Sequence, residues 1–216
     1  MTVLQCYKYM QDRLNSLSTN SGDNIPKHIF VRTFNAIQDV WVENRYKLNS
    51  SNTLRDDELQ SILLDVELNP TKDEGFWRVE IPTNYYHFKR AIAYTPCEVF
   101  LYKKKEDEVN RLLNDENWKP SLEWQESFCT ILGNTLRVYG DFSIDNIRFL
   151  YYRKPNPINM ADGFVDELGE PTIDIDPEFQ NSSLIEILNQ TCMLLASDTS
   201  DQFRFQTLGA NVTQNT

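Results

Sequence analysis

Apolar residues near the start of the chain recur at steps of three and four: Val3, Tyr7, Met10, Leu14 and Leu17. Gln11, Asp12 and Asn15 fall on the opposite face. That period predicts an amphipathic helix. The polar stretch Ser18 to Asn24 breaks it. Pro26 stands where a first helical residue tolerates proline, and Ile29, Phe30, Phe34, Ile37, Val40 and Trp41 mark a long second helix to about Tyr46. A short polar turn between the two makes an antiparallel helix pair the simplest geometry. A shorter helical piece follows Thr53, with Asp56, Asp57 and Glu58 in its first turn, where acids suit the helix dipole.

After Pro70 the period drops to two. Phe76-Trp77-Arg78-Val79-Glu80-Ile81 alternates as a half-buried strand does. Further strands are expected over Tyr86 to Tyr94, Glu98 to Tyr102, Trp124 to Leu132, Thr135 to Tyr139 and Asn146 to Tyr152. Gly133-Asn134 is placed for a tight hairpin turn of type II′. Lys103 to Asn117 is a charged, helix-prone insertion, and Pro155 to Pro171 a loop punctuated by proline and glycine. Asp176-Pro177-Glu178 supplies an N-cap, a proline at N1 and an acid at N2 for a helix carrying Leu184, Ile187, Leu188, Thr191, Leu194 and Leu195. Another helical turn or two is expected around Gln202 to Leu208.

The order helices, strands, helices predicts an α+β fold: a helical bundle built from the N- and C-terminal helices with an inserted, mainly antiparallel β domain. The expected boundaries are 1–69 with 176–208 for the helices, and 70–155 for the β domain with its insertion 103–117. Residues 156–175 form a loop or arm, and 209–216 a polar tail.

Composition narrows the function. The 216 residues carry 32 acidic and 21 basic side chains, net −11, and the isoelectric point is about 4.7. A chain this acidic is ill suited to gripping phosphates as its main task. With 7 glycines, phosphate-cradling loops are not expected. Cys6, Cys97, Cys129 and Cys192 lack the close spacing of a zinc ribbon or redox dithiol, so buried free thiols are expected. Met1 to Cys6 has neither the charged nor the long apolar region of a secretion signal, and no run is long enough to span a membrane. The expectation is a chain kept in a reducing cytoplasm, or in something assembled there.

Catalytic chemistry finds little support. His28 and His87 fall in different regions, and abundant carboxylates make chance pairs. Asp174 and Asp176 have the spacing to share a cation, but Asp176 already serves as a cap. The expectation is no catalytic residue, no metal site and no cofactor. Lys103-Lys104-Lys105 is followed at once by Glu106, Asp107 and Glu108, which would compete with a phosphate and suits a solvated helix start or pairing across a subunit boundary. Trp118, Trp124, Tyr139, Tyr151 and Tyr152 form a possible stacking platform or, more simply, core and interface.

Several phrases carry a resemblance. They are Lys105-Glu106-Asp107-Glu108 with Arg111-Leu112-Leu113, Asp115-Glu116-Asn117 and Lys119-Pro120-Ser121-Leu122-Glu123-Trp124-Gln125-Glu126. To these are added Gly133-Asn134-x-Leu136-Arg137-Val138-Tyr139, Tyr151-Tyr152-Arg153-Lys154-Pro155 and Asp176-Pro177-Glu178-Phe179. Over about residues 75 to 208 the chain resembles virion structural proteins of crAss-like phages, the short-tailed phages of gut Bacteroidales. Within that group it is most similar to a ring protein of the head–tail connector, stacked below the portal. The helix–sheet–helix order also resembles tail adaptors of other short-tailed phages.

The resemblance implies a virion protein assembled in the bacterial cytoplasm. It implies a homo-oligomeric ring, a dodecamer, contacting the portal and other connector or tail proteins. Phage DNA would pass through the lumen without sequence-specific binding, and no membrane is involved. Acidic walls would keep the DNA from sticking. The residues expected at subunit contacts are Lys103, Lys104, Lys105, Glu106, Asp107, Glu108, Arg111, Arg153 and Met160, with the 156–171 loop and the 209–216 tail as arms. The rival readings are a tail-associated module binding carbohydrate or a host surface through its aromatic strands, and a hydrolase using Asp174 and Asp176.

Overall fold

The computed structural model describes residues 1–16, 25–49, 53–161 and 172–198. The fold is mixed α+β, in two compact units: Met1–Ser61 with Pro155–Thr216, and Ile62–Lys154.

In the helical unit, α1 (Val3–Ser16), α2 (Lys27–Asn49) and α4 (Asn181–Asp198) carry the core. The first stripe is as the periodicity predicts, with Val3, Tyr7, Met10 and Leu14 buried alongside Cys6. On α2 the buried set is Phe30, Phe34, Trp41 and Val42, whereas Val40 faces outward. The sequence favours α1 and α2 as direct partners; in the structure α4 packs along both, and Tyr7 meets Phe30 edge-on at 5.5 Å. The piece after Thr53 is a 3₁₀ helix, Thr53–Ile62. Leu17 and the polar turn Ser18–Asn24, the turns expected at 202–208 and the 209–216 tail lie outside the described residues.

Two expectations change here. Asp176 does not cap its own helix, which starts five residues later at Asn181. Its carboxylate instead accepts the Val3 N–H at 2.7 Å, serving one of the unpaired amides at the start of α1. The 156–175 segment, in its described part, is tied to the chain's own helical unit. Asn35 donates to the Ile158 carbonyl at 3.1 Å and accepts the Ile158 N–H at 2.8 Å. Gln38 donates to the Asn156 carbonyl at 3.1 Å. A backbone bridge joins Asn159 to Ile175, and Asp174 accepts the Ala161 N–H at 2.7 Å. Backbone that cannot pair in a sheet needs such side chains to satisfy it. Residues 162–171 lie outside the described residues.

The β unit holds strands β1 (Leu63–Leu68), β2 (Thr71–Asp73), β3 (Phe76–Glu80), β4 (Tyr85–Tyr94), β5 (Glu98–Lys103), β6 (Glu126–Leu132), β7 (Thr135–Tyr139) and β8 (Asn146–Arg153). The sheet order is β1-β8-β4-β5-β6-β7-β3-β2. All pairs are antiparallel except β5 with β6. The two edge strands are consecutive in the chain, joined by Asn69 and Pro70 alone, so the sheet curls around its core. Val79, Ala91, Leu101, Leu136 and Phe149 are among the residues filling that core.

The segment 63–69, assigned above to the helical region, is therefore largely strand. Leu64, Val66 and Leu68 pack against the core, and the Asp65 carboxylate receives two donors of the Arg148 guanidinium across to β8. Gly133 has φ +58 while Asn134 keeps a negative φ, the pattern of a type II′ turn joining β6 to β7.

All four cysteines are free thiols. Burial pushes Cys129 and Cys192 up to about 12 and Cys6 to about 11. With an aromatic disulfide reagent, half-buried Cys97 should react first and the other three only on unfolding; rapid labelling of all four would contradict these closed cores. The folded chain keeps protons that an unfolded thiol, ordinarily near 9.0, gives up. Stability should therefore be intact below about pH 9 and fall as pH rises toward 11 and beyond.

Candidate functional site

β5 and β6 run parallel, so the chain between them must cross over the sheet. That crossover contains the insertion expected at 103–117. A 3₁₀ turn, Glu106–Glu108, leads into α3 (Val109–Asn114). Val109 and Leu112 pack on Phe128 and Tyr139 to form a second, smaller core. The insertion is thus anchored to its own sheet by an apolar face.

Beyond α3 the backbone is tightly tied. The Asp115 carbonyl accepts the N–H groups of Trp118 and Lys119 at 3.1 and 2.9 Å, and its carboxylate accepts that of Asn117 at 3.0 Å. Ser121 and Glu126 exchange both backbone hydrogen bonds, at 3.0 and 3.2 Å. The loop between them is closed by Gln125 N–H to the Leu122 carbonyl at 3.2 Å and Trp124 N–H to Ser121 Oγ at 3.3 Å. Gln125 takes φ 55, a conformation uncommon for a residue with a side chain. Trp124, 76% exposed, stands on this loop, and Trp118 is 55% exposed beside it.

Between them lies an open cleft of about 720 Å³ lined by Trp118, Trp124, Leu122, Tyr102, Lys104 and Glu126, among others. Tyr102 donates to the Glu126 carboxylate at 3.1 Å. That hydrogen bond raises the phenol above its ordinary value. The Lys104 ammonium lies 4.5 Å from the centre of the Trp118 ring.

The residues expected at subunit contacts divide. Glu106 is engaged inside the chain by Arg137 of β7, at 2.8 Å, and Arg111 reaches Glu108 at 3.6 Å. Lys103 sits over the Phe88 ring at 5.7 Å, while Lys105 and Asp107 are exposed. Arg153 is half-buried and donates to the Lys154 carbonyl at 3.1 Å. Met160, next to the clamped segment, is only 4% exposed, which leaves little of its side chain for a subunit contact. The aromatic platform also divides: Tyr139, Tyr151 and Tyr152 are buried, and only the two tryptophans remain at the surface.

The structure adds Tyr102 to those two. Its alternation with buried Val99 and Leu101 already places it on the other face of β5. Asp174 and Asp176 are both engaged by backbone amides. Among the described residues no group of three or more His, Cys, Asp or Glu side chains could hold a metal. No described helix is long and apolar enough to cross a membrane. No protein-family model matches this chain, and no curated protein does.

Proposed function

We propose that this chain is a subunit of a homo-oligomeric ring in the head–tail connector of a short-tailed phage, joining head to tail. In this reading its N- and C-terminal helices form a bundle into which the mainly antiparallel β domain is inserted. A dodecamer assembles in the bacterial cytoplasm and passes into the virion, contacting the portal and other connector or tail proteins. The observation that carries the reading is apolar residues on the outer faces of the helices: Leu4 on α1, Val40 on α2 and Ile185 on α4 are all exposed. In a ring each of these side chains would be buried against the next copy.

Charge supports the same reading. Residues 62–154 carry 13 basic and 15 acidic side chains, net −2, leaving 8 and 17, net −9, in the helical unit. A wall built from the helical unit would repel DNA phosphates and let the genome slide. Native mass spectrometry of the purified chain, alone and with the portal, tests this. A ring is expected in at least one of the two mixtures. A chain that stays monomeric and never joins the portal overturns the proposal.

A further inference from the structure

The cleft beside the crossover has features that the exposed apolar helix residues behind the proposed ring do not involve. Its aromatic rings are exposed: the backbone that carries Trp124 is tied by the loop that Ser121 and Glu126 close, and Tyr102 is held by its strand and its hydrogen bond to Glu126. Backbone strain such as that of Gln125 concentrates at binding sites, and tryptophan is among the residues that carry most binding energy where a partner docks. Around the rings stand groups of both signs, Lys104 and Lys119 against Glu116, Glu126 and Asp141. An anionic ligand would meet three carboxylates, and a cationic one two ammonium groups. A purely apolar ligand would leave those charges desolvated and unpaired.

An uncharged ligand with many hydroxyls and flat apolar faces satisfies all of these constraints. A pyranose is such a molecule: its axial C–H bonds make one face that stacks on an indole. Its hydroxyl rim donates to carboxylates and accepts from ammonium and amide groups. Several rings along one open cleft suit several sugar units in a row. We infer that the Trp118–Trp124 cleft is a binding site for a neutral oligosaccharide, with Trp124 as the principal stacking surface and Glu126 and Lys104 as hydroxyl partners. Binding of this kind requires no ring assembly, so it stands or falls separately from the connector role.

The test titrates the full chain with maltohexaose, cellohexaose, mannohexaose and chitohexaose, read by tryptophan fluorescence and calorimetry, with a proline-rich peptide as a comparison. At least one sugar should saturate in the millimolar range or below. Trp124→Ala should weaken that sugar by about tenfold or more, and Trp124→Phe should recover part of the loss. Far-UV circular dichroism and a urea midpoint unchanged from the parent would show the variants folded. Silence from all four sugars overturns the site, as does equal binding by Trp124→Ala. Saturable binding of the peptide alone, or a Trp124→Ala effect only on oligomer mass, would make the cleft a protein interface instead and overturn it too.

Discussion

Replacing Phe149 with alanine should lower the stability of the β unit by about 3–5 kcal/mol, the cost of removing a fully buried phenyl ring that its surroundings cannot refill. Phe149 lies on β8, opposite Val66 of β1 and Ala91 of β4. Its ring stacks on Tyr151 at 5.3 Å and meets Tyr85 and Phe88 at 5.8 and 5.9 Å. The small neighbour Ala91 leaves room for the ring in the parent and nothing to fill the void in the variant. Strands of a curled sheet are tied on both sides by backbone hydrogen bonds, so collapse into the cavity is resisted. Urea unfolding followed by near-UV circular dichroism would read the loss. Leu132→Ala, at an exposed strand end, is the control and should stay within about 0.5 kcal/mol of the parent. A Phe149→Ala midpoint equal to that control would mean that this core is not closed as described.

Arg45→Ala should cost the helical unit about 2–3 kcal/mol, less than a wholly buried ion pair because its acidic partners are partly exposed. The guanidinium is itself buried, hydrogen-bonded to Glu186 of α4. Its Nε lies 3.0 Å from the Glu58 carboxylate, a charge contact without hydrogen-bond alignment. The guanidinium also lies 5.3 Å from the Trp41 ring centre, and Trp41 is packed in turn on Phe179. Truncation removes the contact with the ring and leaves two carboxylates facing a space with no cation. Arg45→Met, which keeps the apolar stem, should recover part of the loss. Combining Arg45→Met with Glu186→Gln should be less damaging than the two changes added together, by about 1–2 kcal/mol. Far-UV circular dichroism during urea unfolding measures all four corners of that cycle. Strict additivity would remove Glu186 as the partner.

Strand β1 shows how a signal can be present and still be passed over. Leu64, Val66 and Leu68 alternate with Asp65 and Glu67, the pattern of a half-buried strand, but they follow an acidic stretch with helical character. Strand β2, Thr71–Asp73, has no apolar residue at all and pairs only because β3 turns back beside it at Gly75. The parallel pairing of β5 with β6 depends on where the crossover packs, which no local period encodes. Of the cleft, the sequence offered Trp118 and Trp124 among five candidate aromatics. Nothing in the pattern distinguished them from Tyr139, Tyr151 and Tyr152, which the sheet buries.

The sequence by itself determined which face of α1 and, Val40 apart, of α2 is buried, and where most strands run. It also determined that Gly133 begins the β6–β7 turn. Each of these follows from side chains a few residues apart meeting the same solvent boundary, or from the φ a single residue can adopt. The tertiary structure decided what the polar groups do. It gave Asp176 to the start of α1, 173 positions away, set Asn35 to hold the backbone of Ile158, and drew Met160 inside. It left two tryptophans facing an open cleft. A hydrogen-bond donor pairs with any suitably placed oxygen, however distant in the chain, so partners of this kind are chosen by the packing of the elements and not by their order.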